Sequence, residues 1–253
     1  RSFGPEFRYL DLGEEAQPSP AHALNRGMAA ARGDHICFMI DGAHVLSPGV
    51  LRYGMAGLRT YAPAVVATQL WYVGPGQQGD VMLEGYDQAF EDRLFDEIAW
   101  PSDGYRLFDI SHFIGDRDWL DGLWESNCFF VPREVLVQSG GFDETFSVAG
   151  GGYTNLDFYE RITSTSDLTM CTILGEGSFH QIHGGTTTNQ PEVEERRNRI
   201  ASYANHYASV RGRAYRGPYK WVNYVGSMYP GALRSRARPR SAPGVFFEGA
   251  PDP

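Results

Sequence analysis

A carboxylate and an imidazole follow a short apolar run near the start of the chain. Residues 36–40 are apolar, and Asp41, Gly42 and His44 come within the next four residues. A run of this length indicates a buried strand that stops at Asp41. Ligands of open α/β sheets bind beyond the carboxyl ends of the strands, so an acid and a histidine there could hold a metal ion or a phosphate. The alternative is a plain turn, since Asp-Gly pairs are common in turns.

Predicted strands and helices alternate around this stretch. Ser19 and Ser47 each precede a segment of helical character and can cap it. Residues 74–124 break the pattern, as expected for an irregular region over a cleft. The predicted strands span residues 7–12, 36–40, 65–73, 127–131 and 168–174, the helices span residues 21–31, 50–61, 86–98, 132–139, 155–163 and 191–211, and a loop spans residues 175–189.

Composition and charge bound the possible partners. The 253 residues are 42% hydrophobic, enough for one large α/β domain or two small ones. The net charge of −9 is uneven, because residues 1–195 carry −18 and residues 196–253 carry +9. The basic end could meet an anionic membrane surface, a phosphorylated acceptor or the acidic remainder of the chain. Nucleic acid is not expected as a partner, because no nucleic-acid-binding motif accompanies the arginines.

Cysteine usage and hydropathy indicate the compartment. Cys37, Cys128 and Cys171 lie in apolar segments, and their number and spacing fit neither a disulfide framework nor a zinc knuckle. We expect buried thiols in a reducing compartment. No segment has the apolar length of a membrane span, and the start at Arg1 carries no signal peptide. These features predict a cytoplasmic protein, cut from a longer one, whose basic end could associate with a membrane.

Four separated segments resemble motifs of family-two glycosyltransferases, which have the GT-A fold. Residues 23–41 resemble the pattern N-x-G-x-x-x-A-x-G-(D/E)-x-(I/V)-x-F-L-D, and Pro48 follows where that family usually has a proline. Residues 132–135 and residues 140–144 resemble the two parts of its R-E-x-x-x-x-x-G-G-F-D-E segment, and residues 157–161 resemble its D-L-x-x-R helix. The four segments occur in the family's order, and the resemblance spans residues 5–190.

The resemblance implies an α/β fold of the GT-A kind, which is Rossmann-like, with a mixed, mostly parallel sheet flanked by helices. It implies a transferase domain over residues 1–190. A helical and basic extension over residues 191–229 and a tail over residues 230–253, rich in Pro, Gly and Arg, are expected to follow. Family members begin with a nucleotide-binding strand-helix-strand unit. Residue 1 falls after that unit, so we expect it to lie outside this chain.

The resemblance also implies a divalent metal ion, Mn²⁺ or Mg²⁺. The family's D-x-D motif places its second ligand at a position that holds Ala43 here. His44 could substitute, because a neutral imidazole is a good ligand for Mn²⁺. Polypeptide N-acetylgalactosaminyltransferases use a similar D-x-H variant that is one residue shorter. The expected metal ligands are therefore Asp41, His44 and His183.

His183 is included because many enzymes of the GT-A fold carry a late histidine that returns to the metal or the pyrophosphate. Gly184 and Gly185 follow it directly and permit close backbone approach, and the hydroxyls of residues 186–188 can donate to phosphate. His180 is the alternative choice.

The expected catalytic residues are Asp157 and Asn155. In inverting relatives an E-D pair precedes the D-x-x-x-R segment, and its Asp deprotonates the acceptor hydroxyl. Thr154 and Asn155 hold those positions here, and an amide cannot take that proton. The segment resembles the E-N-L-E of the retaining N-acetylgalactosaminyltransferases, which use no such base. Asp157 either acts as a base or pairs with Arg161 one helical turn later.

The remaining site residues are expected to bind the two substrates. The donor-binding residues are Asp41, Asn25, Glu125, Asn127 and His180. Trp119 and Trp124 could stack on sugar faces of the acceptor, with core packing as the alternative. The predicted function is metal-dependent transfer of a sugar from a nucleoside-diphosphate-sugar donor to a hydroxyl acceptor. The alternative is a non-catalytic sugar-nucleotide or glycan-binding module with a degenerate transferase fold.

Overall fold

The computed structural model describes residues 4–40, 43–114, 119–120, 123, 125–165, 167–218 and 220–236. Its helices are α1 (Pro20–Ala30), α2 (Val50–Thr60), α3 (Gln78–Val81), α4 (Gln88–Glu97), α5 (Arg133–Ser139), α6 (Thr154–Thr163), α7 (Val193–Arg211) and α8 (Pro230–Arg236). Its strands are β1 (His35–Met39), β2 (His44–Leu46), β3 (Ala64–Val73), β4 (Ser111–Phe113), β5 (Cys128–Pro132), β6 (Thr169–His180) and β7 (Val222–Gly226).

The strands form one mixed sheet in the order β1-β5-β3-β6-β2, with β4 beside β3 and β7 beside β6. In the described part of the chain, parallel pairing is limited to β3 with β6 and β6 with β7. The pairings of β1 with β5, β2 with β6, β3 with β4 and β3 with β5 are antiparallel. The predicted α/β class with a mixed sheet is therefore confirmed, although parallel pairs do not predominate among these strands.

The core lies on both faces of the sheet, because alternate residues of each strand point to opposite sides. On one face, Phe38 of β1 packs against Phe129, Phe142 and Phe158, with ring centroids 5.3–5.7 Å apart, beneath α1, α5 and α6. On the other face, α2 covers β3, β5 and β6 through residues such as Leu58. Helices therefore flank the sheet on both sides, as predicted.

The two predicted serine caps have different outcomes. Ser19 caps α1, and its Oγ accepts a hydrogen bond from the backbone N–H of Ala21 at 3.3 Å. The prediction that Ser47 caps α2 is wrong. The N-cap residue is Gly49, which has no side chain that could accept a hydrogen bond from the helix. The carboxylate of Glu176 lies there instead and accepts from the N–H of Gly49 at 2.9 Å and from the hydroxyl of Ser47 at 2.5 Å.

The predicted loop over residues 175–189 is wrong in its first part, because β6 continues to His180. Ala67 pairs with Thr172 but Gln69 pairs with Gly177, so β6 carries extra residues at this point. Gly175 adopts a φ of 71°, a conformation in which glycine is unstrained. The strand therefore passes through a bulge, and the bulge turns Glu176 toward the start of α2.

The predicted strand over residues 7–12 is also wrong. These residues have no regular structure, and Phe7 and Tyr9 are exposed. Alternation of apolar and polar residues favours a strand only where a neighbouring strand pairs with it, and none does so in the described residues.

The basic end of the chain contacts its acidic part. Arg211 of α7 pairs with Asp143 and Asp157, and Arg213 pairs with Glu160. Arg196, at the other end of α7, pairs with Asp80. Three arginines of the basic end therefore pair with acidic residues of the preceding part of the chain. Within residues 191–229, α7 is followed by β7, which joins the central sheet beside β6.

The three cysteines are free thiols, but they are not all buried. Cys128 and Cys171 are buried, whereas Cys37 is exposed on β1, so the expectation of three buried thiols is wrong for this residue. The sulfur atoms of Cys37 and Cys128 lie 4.0 Å apart. Burial raises the pKa of Cys171 to about 12. Among the described helices, none has the length and apolarity needed to cross a bilayer.

Candidate functional site

The candidate site lies at one edge of the sheet, where β1, β3 and β6 all end. β3 and β6 are parallel, with Tyr72 beside His180. β1 runs in the same direction, because two antiparallel pairings separate it from β3. The residue after β1, Ile40, donates its N–H to the carbonyl of Asn127 at 3.0 Å. Asp41 itself lies outside the described residues, but the strand that leads to it ends beside Asn127.

Three histidines meet at this edge. His44 opens β2 and pairs in register with His180 at the end of β6, and their ring centroids are 5.0 Å apart. The Nε2 atoms of His180 and His183 are 3.1 Å apart. His44 and His180 are both buried, and Nδ1 of His44 lies 2.7 Å from Oγ of Ser178. The structure thus brings together the three histidines that the sequence singled out.

The separation of the two imidazole nitrogens is compatible both with a hydrogen bond and with two ligands of one metal ion. Two imidazole nitrogens that bind one metal ion at about 2.1 Å, on adjacent corners of its coordination sphere, lie about 3 Å apart. His180 and His183 match this separation. Within the described residues, no group of three or more His, Cys, Asp or Glu side chains converges as a metal site. The two imidazoles therefore fit part of a ligand set, and Asp41, the expected third ligand, lies outside the described residues.

Two of the predicted polar residues contact each other beside the end of β1. Asn155 Nδ2 donates to Asn127 Oδ1 at 2.6 Å. Glu125 precedes them and is half-buried. Burial raises the pKa of Tyr72, and the negative charge of Glu125 raises it further. The rings of Tyr72 and His180 are 5.4 Å apart, so Glu125 and the histidines border the same tyrosine.

Asp157 of α6 joins this helix to α7 through Arg211. The side chain is 1% exposed. Its Oδ1 accepts from Nε of Arg211 at 2.6 Å, and its Oδ2 accepts from Arg161 and Arg211, both at 2.8 Å. Both carboxylate oxygens are therefore engaged by guanidinium groups. This arrangement favours the pairing interpretation of Asp157 over the base.

Asn25 also has a structural role in the described residues. Its amide donates to the carbonyl of Phe142 at 2.9 Å and to Glu144 at 2.8 Å, and its Oδ1 accepts from the N–H of Phe142 at 2.9 Å. The hydrogen bond from Asn25 to Glu144 lowers the pKa of that carboxyl. Asn25 therefore ties α1 to the turn at residues 140–144.

Of the two tryptophans considered for sugar stacking, only Trp119 lies in the described residues. Trp119 is 5% exposed and packs against Trp71, with ring centroids 5.4 Å apart. A ring buried in this way offers no face to a sugar, so core packing is the correct interpretation for Trp119. Trp124 lies outside the described residues.

Sequence reasoning missed Gln78 and Asn189, whose side chains hold the histidines in place. Oε1 of Gln78 lies 2.9 Å from Nδ1 of His180 and accepts from Nδ2 of Asn189 at 2.9 Å. The two residues are 111 positions apart in the sequence. No local spacing could signal such a contact, and residues 74–124 matched no motif.

Glu91 of α4 supports the loop between the histidines. It is buried, and one carboxylate oxygen accepts from the hydroxyl of Tyr86 at 2.6 Å and from the N–H of Ile182 at 2.9 Å. Burial raises the pKa of Glu91 above its usual value of 4.5, although these two hydrogen bonds oppose the shift. Glu91 therefore gives the loop beside His183 a pH-dependent anchor.

We expect Glu91→Gln to remove part of the pH dependence of stability. With its pKa raised, the folded state binds a proton at Glu91 more readily than the unfolded chain does. The stability that this group contributes is therefore full below the unfolded pKa and is lost as pH rises through the folded pKa. Chemical denaturation at a series of pH values should show wild type losing stability relative to the variant above about pH 4.5, by at most about 1.4 kcal/mol per pH unit. The exposed Glu84→Gln is the control, and a constant difference between wild type and Glu91→Gln would contradict this assignment.

The sequence matches neither any known protein-family model nor any curated protein. The histidine pair at the carboxyl ends of the strands and the asparagine pair beside it are the main features of the candidate site.

Proposed function

We propose that this chain is a metal-dependent glycosyltransferase that moves a sugar from a nucleoside-diphosphate-sugar donor to a hydroxyl acceptor. The observation that carries the proposal is the 3.1 Å separation of the His180 and His183 Nε2 atoms. The pair lies at the sheet edge where ligands of open α/β folds bind. The same edge receives the strand that leads to Asp41. The motifs that resemble family-two glycosyltransferases support the same class.

The proposed roles follow from charge. Departure of the donor's diphosphate leaves negative charge, and a bound divalent cation would neutralise it. Asp41, His183 and His180 would hold that cation, with His44 packed against His180. The amides of Asn127 and Asn155 are suited to donate hydrogen bonds to donor-sugar hydroxyls, because each amide offers two N–H groups and one carbonyl oxygen.

Turnover should require both the metal ion and Asp41. We expect the protein to hydrolyse or transfer from a nucleoside-diphosphate sugar with Mn²⁺ or Mg²⁺, to stop in EDTA, and to recover when metal is restored. Asp41→Ala should lower the rate at least about 100-fold, the usual effect of losing one electrostatic stabiliser. The matched control is Asp34→Ala, which removes an exposed carboxylate at the opposite end of β1. Undiminished turnover in EDTA and in Asp41→Ala would overturn the proposal.

A second candidate is a non-catalytic module that binds a sugar nucleotide. It is favoured by the state of Asp157, whose two oxygens are both held by arginines, and by the amide at position 155. Neither group is placed to accept a proton from an acceptor. Calorimetry that shows binding of a nucleoside-diphosphate sugar, with no turnover on any glycan, lipid or small-molecule hydroxyl acceptor, would favour the module over the enzyme.

A further inference from the structure

The side-chain amide of Gln78 has only one orientation that satisfies its neighbours. Gln78 is fully buried at the start of α3. Its Nε2 lies 3.3 Å from the carbonyl of Val73 and 3.0 Å from the carbonyl of His180. Carbonyl oxygens can only accept, so the amide nitrogen must face them. The oxygen of Gln78 therefore faces Nδ1 of His180, 2.9 Å away.

Asn189 fixes this arrangement from the other side. Its Oδ1 accepts from the backbone N–H groups of His183, Gly184 and Gly185 at 3.0, 3.0 and 2.9 Å. Backbone N–H groups can only donate, so the oxygen of Asn189 is the atom that faces them. Its nitrogen must then donate to Oε1 of Gln78. Asn189 thus orients Gln78 and, through the same side chain, holds the backbone of His183.

These hydrogen bonds determine where the proton of His180 lies. Oε1 of Gln78 has no hydrogen, so a hydrogen bond to Nδ1 of His180 requires the proton on Nδ1. A neutral imidazole with a proton on Nδ1 carries its lone pair on Nε2. That atom is the one that faces Nε2 of His183 at 3.1 Å.

We propose that Gln78 and Asn189 are positioning residues that hold His180 in its Nδ1–H tautomer, so that Nε2 presents its lone pair to a divalent cation shared with His183. The part that concerns the cation rests on the proposed function. In the metal-free protein, Nε2 of His183 donates its proton to the same lone pair, and that proton would move to Nδ1 of His183 when a cation binds. The oxygen partner of a metal-bound histidine ordinarily fixes its tautomer, and loss of that partner weakens metal binding about 10–100-fold.

The tautomer can be measured without any turnover. Long-range ¹H–¹⁵N correlation spectra of the metal-free full chain, labelled with ¹⁵N-histidine, distinguish a protonated ring nitrogen from one that carries a lone pair. We expect Nδ1 of His180 to be protonated and Nε2 of His180 to carry the lone pair. A wild-type His180 with its proton on Nε2 would overturn the proposal, whether or not any variant folds.

Variants then test which side chain sets the tautomer. Gln78→Met keeps the length of the side chain but removes its oxygen, so His180 should lose its single tautomer, and Mn²⁺ affinity by calorimetry should fall about 10–100-fold. Gln78→Glu keeps an acceptor for Nδ1–H, although it loses the donor to the carbonyl oxygens of Val73 and His180, and should therefore keep the tautomer. Gln88→Met, at an exposed position, is the control and should change neither quantity. An unchanged tautomer in a folded Gln78→Met, or a wild type that binds no Mn²⁺, would overturn the proposal.

The outcomes separate this proposal from the proposed function. The expected tautomer and Mn²⁺ affinity without any turnover of nucleoside-diphosphate sugars would leave the positioning role intact and remove the transferase. Metal-dependent turnover with His180 protonated on Nε2 would support the transferase and overturn the positioning role.

Discussion

Replacing Asp157 with Asn is expected to lower the free energy of unfolding by about 3 kcal/mol, because it breaks a buried ion pair. Asp157 is 1% exposed and accepts three hydrogen bonds from two guanidinium groups. The amide would leave Arg161 without its carboxylate partner and Arg211 with Asp143 alone. Both arginines retain some exposure, at 29% and 25%, which places the expected loss at the lower end of the range for buried pairs. Urea denaturation measures the loss directly.

The control is Asp109→Asn, which breaks an exposed pair with Arg106 and should cost less than about 0.5 kcal/mol. A double-mutant cycle with Arg211→Met should give a coupling energy of at least about 1 kcal/mol between positions 157 and 211. If Asp157→Asn kept wild-type stability but lost transferase activity, Asp157 would be the base and the structural assignment would fail.

Replacing Glu176 with Ala is also expected to cost about 3 kcal/mol or more, because three donors would lose their acceptor. The side chain is buried at the bulge of β6 and accepts from the N–H of Gly49, the hydroxyl of Ser47 and the hydroxyl of Tyr105. Burial and the hydrogen bond to Glu176 together raise the pKa of Tyr105 to about 12. A carboxylate at this place also interacts favourably with the positive end of the α2 dipole. Thermal or urea unfolding would measure the loss, and hydrogen exchange should rise first in α2.

Glu176→Gln separates the acceptor from the charge, because it keeps the volume and one carbonyl oxygen. It should cost clearly less than Glu176→Ala. The exposed Glu195→Ala, which removes a surface pair with Arg199, is the control and should stay within about 0.5 kcal/mol. Equal losses for the two Glu176 variants, or a loss below about 1 kcal/mol for Ala, would contradict the role of Glu176 as the cap of α2.

The elements predicted best are those whose sequence carries both an apolar pattern and an end signal. β1 has an apolar run that stops at Asp41, α1 has Ser19 and Pro20 at its start, and β3 is rich in β-branched residues. The errors fall where a partner decides the structure. Residues 7–12 alternate but have no described strand beside them, and Gly175 looked like the end of a strand because its bulge depends on β3. The local sequence cannot predict these contacts, because the partner strands are distant along the chain.

The candidate site also contains residues that could be predicted from the sequence and residues that could not. The histidines could be identified because their chemistry is recognisable from residue type and from the glycines that follow His183. Gln78 and Asn189 could not be identified, because an amide that supports a buried histidine looks the same in a sequence as an amide on the surface. Their role exists only where the loop after β6 folds back on α3. The supporting residues of this site are therefore defined by hydrogen bonds that form only in the folded chain.

The bulge in β6 has a consequence for how the sheet ends. Beyond β6, the outer edge is shared by β7, which pairs with residues 170–174, and β2, which pairs with residues 178–180. The two short strands lie end to end on either side of Gly175, and each is too short to offer a long row of unpaired backbone groups. Long, flat edges recruit strands from other molecules and lead to aggregation. The interruption at Gly175 therefore protects this side of the sheet from edge-to-edge association.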